Sequence, residues 1–521
     1  MSENATRPST LTQEFLEGLV QRVPGSSGNT WKLTEVYTGD LLVELPQSSE
    51  DDIKQAFTDA RAAQRIWGSW PLRKRLKVLK KFHALVLENQ YLITDLIQAE
   101  SGKNRRMAFE ETCDVPMGTS HYIKRAPSLL KDRKHAGPVP FLSHSTEVRR
   151  PKGVVAIIAP WNFPFATGIS DTIPALIAGN GVVVKPDNKT ALSPLFGVGL
   201  LEVAGIPPGL VQVVCGEGPD VGEPMLSQAD YVMFTGSTAT GRIIGELAGK
   251  NLIGACLELG GKNPMLVLED ANVDEAVHAA LFGGFGNSGQ ICMHIERLYI
   301  HDSIYDEFRD KFVAATEDLK IGAAYDFSAD LGSLVSVDHR DRVASHVDDA
   351  RDKGATVLTG GHPRPDLGPA FYEPTILEGV TPEMLAGSTE TFGPVVGLYR
   401  FSTDDEAVAL ANDTDYGLNA SVWSTDKDRA LSVARRIDSG NVNINDILAT
   451  AYASKGTPSG GLKQSGVGAR HGDQGLLKYT DGQSIAVLKK QVMEPQKDQT
   501  YEAYAKQTQL SLKLMRKTRF R

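Results

Sequence analysis

The chain lacks the features that mark disulfide-rich, metal-caged and membrane proteins. Only four cysteines stand among its 521 residues, widely spaced, and none forms a C-x-x-C pair. A disulfide framework or a zinc cage is therefore not expected, and no metal site is predicted. No apolar run approaches the roughly 18 residues of a membrane span, and the N-terminus lacks an apolar core of secretory length. These absences predict reduced thiols and a cytoplasmic location.

Basic residues are in deficit, with 55 Lys and Arg against 64 Asp and Glu, a net charge of −9. No net basic field attracts phosphates, so nucleic-acid binding is not expected. The C-terminal tail, residues 496–521, is the exception, because its part from 506 onward holds six basic residues and no acidic one. It is interpreted as a solvated tail or one packed on a neighbouring subunit, and a weak anchor for anionic membranes is the alternative.

Glycine is abundant, with 50 residues in 521, which favours a fold with many tight turns. From residue 153 short β-branched runs alternate with helical stretches, as in GVVAIIAP, DTIPALIAGN and GVVVKP. Such alternation predicts an α/β fold with a doubly wound parallel sheet. A second α/β pattern begins near residue 264. Ahead of both, apolar residues at helical spacing predict helices over 51–67 and 72–99.

Cys292 is the best candidate nucleophile. It follows a stretch rich in glycine, which permits close approach of the backbone to a ligand. A lone cysteine is more often a small core residue, but a thiol is intrinsically nucleophilic and no G-x-S-x-G serine competes with it.

Two further side chains are suited to assist a nucleophile. Glu258 ends an apolar strand before a Gly-Gly turn, where a carboxylate can act as a base on water. Asn162 lies in PWNFP, where an amide fixed between two prolines can hold an oxyanion. A capping role for Glu258 and an Asx-turn for Asn162 are the plainer interpretations of each motif alone.

Two segments could contact a cofactor. Gly236 and Ser237 open a helix whose N-terminal N–H groups can receive phosphate. Lys185 ends the strand GVVVKP, and ligands bind at the carboxyl edge of a doubly wound sheet. The near-miss GEGPDVG at 216–222 has the wrong spacing for the dinucleotide fingerprint and is interpreted as a turn.

Together these motifs resemble the aldehyde dehydrogenase superfamily, from about residue 30 to about residue 490. Each motif is modest, but their order and spacing are specific. The matching segments are AESGK at 99–103, PWNFP at 160–164, KPDN at 185–188, FTGS at 234–237, ELGGKNP at 258–264, GQIC at 289–292, ETFGPVV at 390–396, NDTDYGLNASVW at 412–423, GNVNIN at 440–445 and PSGGLKQSG at 458–466.

The resemblance implies a role for each catalytic candidate. Cys292 matches the nucleophile that forms a thiohemiacetal and then a thioester. Asn162 matches the amide that holds the oxyanion, and Glu258 matches the base that activates the deacylating water. Retention of all three argues against the alternative of a non-catalytic protein with this fold.

The resemblance also implies a nicotinamide cofactor. NAD-preferring members commonly carry Glu at the position of Asn188, so a neutral amide with Lys185 nearby favours NADP, and NAD stays possible. The predicted cofactor-binding residues are Trp161, Lys185, Asp187, Asn188, Gly236, Ser237, Leu259, Glu390 and Phe392.

Within the superfamily, segments such as KPDNKTALSPL and IGAAYDFS are similar to actinobacterial NADP-dependent succinate-semialdehyde dehydrogenases, so succinate semialdehyde is the predicted substrate. However, Ser170 and Gly286 stand where such enzymes place carboxylate-binding arginines. Ser459 and Ala453 replace bulkier residues, which favours the alternative of a broad-range or aromatic aldehyde dehydrogenase.

A reversed charge pattern is a second departure. Most members carry Lys at the position of Asp171, and a later Glu is replaced by either Arg470 or His471.

The resemblance implies three structural parts and a homodimer or homotetramer. We expect a dinucleotide-binding domain from 1–126 plus 151–258, a catalytic domain from 259–475 and a β-hairpin oligomerisation arm from 127–150 plus 476–495.

Overall fold

The N-terminal part of the chain is mainly helical. A computed structural model describes residues 7–137, 142–489 and 494–518. The helix predicted over 72–99 is wrong in one respect, because it is two helices that meet at Asn89. The backbone of Asn89 is non-helical (φ −104°, ψ 13°) and its Nδ2 donates to the Leu85 carbonyl, which ends the first helix. The elements are α1 Gln13–Val20, β1 Thr30–Thr34, β2 Leu41–Pro46, α2 Glu50–Ser69, α3 Leu72–Glu88, α4 Gln90–Ser101 and α5 Arg105–Leu129.

Strands and helices alternate from residue 154 onward, as predicted for the chain from residue 153, and two further strands, at 133–136 and 143–151, directly precede this alternation. The first group is β3 Arg133–Ala136, β4 Ser143–Pro151, β5 Val154–Ile158, α6 Pro164–Ser170, α7 Thr172–Ala178, β6 Gly181–Lys185, α8 Leu192–Ala204, β7 Val211–Val213, α9 Gly218–Leu226, β8 Tyr231–Thr235, α10 Thr238–Lys250 and β9 Gly254–Glu258.

The second group begins with β10 and continues to the C-terminal tail. It comprises β10 Asn263–Val267, α11 Val273–Phe285, β11 Ile295–His301, α12 Tyr305–Glu317, α13 Val337–Asp352, β12 Thr356–Thr359, β13 Thr375–Glu378, α14 Leu385–Ser388, β14 Val395–Phe401, α15 Asp404–Asn412, β15 Tyr416–Gly417, β16 Asn419–Trp423, α16 Lys427–Ala434, β17 Asn441–Ile444, α17 Ala449–Ala453, β18 Pro458–Ser459, β19 Leu462–Lys463, β20 Gly466–Val467, β21 Arg470–His471, α18 Gln474–Leu477, β22 Thr480–Leu488 and α19 Tyr501–Thr518.

The first large sheet has the order β20-β9-β8-β5-β6-β7 among the described residues. Its strands from β9 to β7 are parallel, and β20 pairs antiparallel with β9. Burial of nearly every side chain of β5, β6 and β8 explains their continuous apolar sequences. Because the carboxyl ends of parallel strands meet at one edge, the segments after β5, β6, β8 and β9 come together there.

The second large sheet has the order β12-β13-β14-β11-β10-β16-β17 in the described chain, parallel except for β12. Cys292 lies just before β11, and Glu390 and Phe392 lie just before β14. The amino edge of this sheet therefore faces the carboxyl edge of the first, and the predicted site lies between the two. This arrangement is the α/β fold predicted for the family.

A smaller antiparallel sheet of β22, β4 and β3 stands apart from both. Its strands come from the segments predicted to form the arm, although α5 extends to Leu129 and residues 138–141 and 490–493 lie outside the described part. Most side chains of β22 are exposed. The C-terminal helix α19 is also almost entirely exposed where described. No helix within the described residues is both long and apolar enough to cross a bilayer.

Candidate active site

Cys292 follows a tight turn in which a glycine allows a close backbone approach. In the turn Gly286–Gly289, Asn287 and Ser288 have left-handed backbones (φ 52° and 53°). Gly289 also has positive φ (+72°), and a Cβ there would lie 1.9 Å from the Gly393 carbonyl oxygen. The glycine-rich sequence is therefore required by a close backbone approach.

The backbone on either side of the thiol is held by amide side chains. Asn263 Nδ2 donates to the carbonyls of Cys292 (2.9 Å) and His294 (2.7 Å). Asn162 Nδ2 donates to the Gln290 carbonyl at 3.1 Å, and Asn162 is 6% exposed. Asn162 and Cys292 line one cavity of about 420 Å³. The predicted amide and thiol are thus brought together at one cavity.

Glu258 lines the same cavity at the end of β9. Its carbonyl accepts the Gly236 N–H at 3.1 Å. Burial raises the pKa of Glu258 to about 7, although the Arg470 and Lys478 cations oppose that rise. Such a group exchanges protons with water near neutral pH.

The Cys292 thiol is uncharged until a proton acceptor takes its proton. Burial raises the pKa of Cys292 to about 12, and the Arg470 cation opposes this rise. Arg470 itself is paired with Asp171, with Nε and Nη2 at 3.0 and 2.9 Å from Oδ2. Of the two replacements left open by the sequence, Arg470 therefore forms the reversed ion pair. His471 instead lies 2.9 Å from Lys455 Nζ.

Six of the predicted cofactor-binding residues line this cavity: Trp161, Gly236, Ser237, Leu259, Glu390 and Phe392. Glu390 Oε1 accepts the Gly261 N–H at 2.8 Å, and a Cβ at Gly260 would lie 2.3 Å from Glu390 Oε2. The Gly-Gly turn therefore makes room for this carboxylate.

The other three, Lys185, Asp187 and Asn188, lie outside that cavity, at the carboxyl end of β6. The Asp187 side chain contacts the backbone two residues further on, where its Oδ1 accepts the Lys189 N–H at 3.0 Å. Asn188 is 4% exposed and donates to Gln47 and Glu217.

Several residues near these sites were not predicted from sequence. Glu217 belongs to the segment 216–222 that was interpreted as a turn, which is wrong because α9 begins at Gly218. Lys455 and Asp114 form a buried ion pair beside the cavity (2.5 Å). The two residues are 341 positions apart in the sequence. No local sequence pattern can connect residues so far apart, so no sequence signal pointed to the pair. Arg297, close to Cys292 in sequence, is directed away and donates to backbone carbonyls, including that of Ala411.

The profile of the aldehyde dehydrogenase family matches residues 23–485. The chain belongs to the aldehyde dehydrogenase family. A relative from Mycobacterium tuberculosis H37Rv, named "Putative succinate-semialdehyde dehydrogenase", NADP(+), 2, is 47% identical over 94% of each chain. The 3-sulfolactaldehyde dehydrogenase of Pseudomonas putida is 35% identical over 91% of this chain and 96% of that protein.

Solved structures agree with this assignment. Betaine aldehyde dehydrogenase from Staphylococcus aureus in complex with NAD+ matches with a TM-score of 0.86 and 30% identity. The match covers 92% of this chain and 98% of that one. The chain is therefore an aldehyde dehydrogenase by sequence and by fold.

Arg470→Gln is expected to raise the pKa values of Glu258 and Cys292, because it removes a buried cation that favours their ionised forms. The acidic limb of the pH dependence of kcat/KM should move to higher pH, since the Glu258 carboxylate exists only above its pKa. Asp171 loses a buried partner, so the free energy of unfolding should fall by about 3–5 kcal/mol. Arg470→Lys keeps the positive charge, so its acidic limb should lie at the same pH as that of the wild type. If the limb of Arg470→Gln did not move, the Arg470 cation would not control the protonation of Glu258 or Cys292.

Proposed function

We propose that this enzyme oxidises an aldehyde to a carboxylic acid through a thioester on Cys292, with NADP as the main cofactor and NAD as an alternative. The observation that carries the proposal is the convergence of Cys292, Asn162 and Glu258 on one cavity. Six predicted cofactor residues line the same walls. The relative's printed NADP(+) supports the first cofactor, and the neighbour's NAD+ supports the second.

The proposed reaction begins at the thiol. The Glu258 carboxylate accepts the Cys292 proton, and the thiolate attacks the aldehyde carbon. The Asn162 amide and the Cys292 N–H hold the resulting oxyanion. The carbon then loses hydride, leaving a thioester at Cys292. Once Glu258 has released the first proton to solvent, its carboxylate takes a proton from water, and the hydroxide attacks the thioester. The acid is released, and the departing thiolate takes the proton from Glu258, which regenerates both groups.

The residues present fit a dinucleotide. Ser237 caps α10, whose first N–H groups point to the edge where the strands end. Asn188 Oδ1 is buried without a hydrogen-bond partner in the described chain, so it can accept from a ribose hydroxyl. When bound, NADP accepts the hydride.

Succinate semialdehyde is the proposed substrate. The two relatives are named for aldehydes that carry a carboxylate or a sulfonate. Lys455 supplies a cation in the wall of the cavity, where Asp114 and His471 take two of its three donors. The third donor can serve a substrate carboxylate, a role that Ser170 cannot fill because its hydroxyl donates to Asp114.

A broad-range or aromatic aldehyde dehydrogenase is the second candidate. The cavity wall around the thiol is largely apolar, and Ala453 adds little bulk to it. Apolar aldehydes gain free energy from burial against such a wall. The apolar residues concerned are Met107, Met117, Phe163, Phe282, Met293, Leu448 and Tyr452.

Comparing succinate semialdehyde with butanal, which has the same chain length without the charge, separates the two candidates. For the semialdehyde enzyme, Lys455→Met should lower the ratio of the two kcat/KM values about tenfold, through loss of about 1.5 kcal/mol from a charged hydrogen bond. The Lys455→Met, Asp114→Asn double variant removes both charges and controls for repulsion by an unpaired Asp114. Preference for butanal or benzaldehyde in the wild type, with an unchanged ratio in the variant, would instead support the second candidate.

The proposal extends to assembly and location. We assign a dinucleotide-binding domain to 1–126 plus 151–258, a catalytic domain to 259–475 and an oligomerisation arm to 127–150 plus 476–495. The exposed strand β22 supports a homodimer or homotetramer that covers it. All four cysteines are free, which fits a cytoplasmic enzyme.

A further inference from the structure

An amide and a carboxylate meet beside the carboxyl end of β6. Asn188 Nδ2 donates to Gln47 Oε1 at 3.0 Å and to Glu217 Oε1 at 3.2 Å. Both protons of the amide are therefore used by oxygen acceptors of the chain. Asn188 is 4% exposed, whereas Glu217 is exposed and directly precedes α9.

The position of Asn188 in the sheet is that of a ribose subsite in doubly wound folds. β6 is the second strand of the parallel series that begins with β5. In doubly wound sheets a side chain after the second strand selects between a ribose 2′-hydroxyl and a 2′-phosphate. Asn188 Oδ1 has no hydrogen-bond partner among the described residues and marks the same point, because a buried acceptor without a donor is costly unless a ligand supplies one.

The hydrogen-bonding groups at the subsite favour a hydroxyl. Asn188 Oδ1 and the Glu217 carboxylate both accept, and a 2′-hydroxyl can donate to either. A 2′-phosphate carries only acceptors and negative charge, so it needs the Asn188 amide protons that Gln47 and Glu217 occupy. Lys185 and Lys189 favour the phosphate, although Lys189 Nζ is also 3.8 Å from Asp187.

We propose that Glu217 is a specificity-determining residue at this subsite, where its carboxylate occupies the Asn188 amide and opposes a 2′-phosphate. The inference rests on the proposed function for the presence of a dinucleotide. Glu217 thereby limits the NADP preference that Asn188 and the lysines create, and keeps NAD in use.

The test measures binding without turnover. Titration calorimetry with 2′,5′-ADP and with 5′-AMP compares the wild type with Glu217→Gln and Glu217→Ala. The glutamine keeps an acceptor for Asn188 and removes the charge, so 2′,5′-ADP should bind about tenfold tighter, with 5′-AMP little changed. The alanine also frees an amide proton, and its gain for 2′,5′-ADP should be larger.

Asp220→Asn is the matched control, because Asp220 is an exposed carboxylate in the first turn of the same helix. It should change the affinity for 2′,5′-ADP much less than Glu217→Gln does. If Asp220→Asn and Glu217→Gln raised the affinity for 2′,5′-ADP equally, the effect would be one of long-range charge and the inference would be overturned. An unchanged affinity in Glu217→Gln would overturn it as well. If the wild type bound neither fragment, the dinucleotide site would itself be contradicted. Aldehyde oxidation, assayed separately, tests the proposed chemistry independently of this result.

Discussion

Cys292→Ala is expected to abolish formation of reduced cofactor from every aldehyde, a loss of at least about 10⁴-fold in kcat. The reason is that Cys292 lines the cavity with Asn162 and Glu258, whereas Cys256, whose Sγ lies 3.9 Å from Glu258 Oε1, is fully buried outside that lining. Binding of cofactor fragments should persist, since Cys292 holds none of the contacts at the β6 subsite. The absorbance of the reduced nicotinamide measures the reaction, and intact mass spectrometry measures the acyl group carried by the wild-type thiol.

Cys113→Ala is the matched control, because Cys113 also lines the cavity and its thiol pKa is likewise raised by burial. It should retain turnover near that of the wild type. The thermal unfolding midpoint of each variant shows whether either loss comes from misfolding. Residual turnover of a folded Cys292→Ala protein near the wild-type rate would eliminate the covalent mechanism.

Glu258→Gln is expected to slow both halves of the reaction, because Glu258 takes the thiol proton in the first half and a water proton in the second. The amide cannot take a proton from water, so hydrolysis of the thioester should slow about 10²–10⁴-fold. If another base, or solvent, removes the thiol proton, one equivalent of reduced cofactor per active site appears before turnover stops. Mass spectrometry should then find the acyl group on Cys292. Loss of this burst as well would assign Glu258 to activation of the thiol, and unchanged steady-state turnover would remove it from the mechanism.

The pH dependence of the wild type follows from the same group. Burial raises the pKa of Glu258 to about 7, so the carboxyl is protonated below that pH and cannot act as a base. Steady-state turnover limited by hydrolysis should therefore rise with pH through about 7, and this limb should be absent from Glu258→Gln. Glu110→Gln controls for loss of a carboxylate at the mouth of the cavity and should leave the limb in place.

The family and the catalytic set could be predicted from sequence because their signals are local. PWNFP, ELGGKNP and GQIC each place a reactive side chain beside a strand end or a glycine turn. Topology then brings strand ends together. Gly289 illustrates the link, since its close approach to Gly393 requires a glycine that is also visible in the sequence.

The sequence predicted the reversed ion pair only in part. Two neighbouring residues were candidates for the cation opposite Asp171, and they differ in which way their side chains face. His471 has a left-handed backbone (φ 58°), so the two neighbouring side chains diverge. Arg470 faces Asp171, and His471 faces Lys455.

Sequence alone therefore determined the fold class and predicted the nucleophile, the base and the oxyanion amide, through residue types at short fixed spacings. Tertiary structure decided which charges face one another. Glu217 reaches Asn188 only because α9 begins beside the end of β6, and Lys455 meets Asp114 only because the segment after α17 packs against α5. Such pairings depend on the packing of elements far apart in the chain, and no pattern within one segment encodes them.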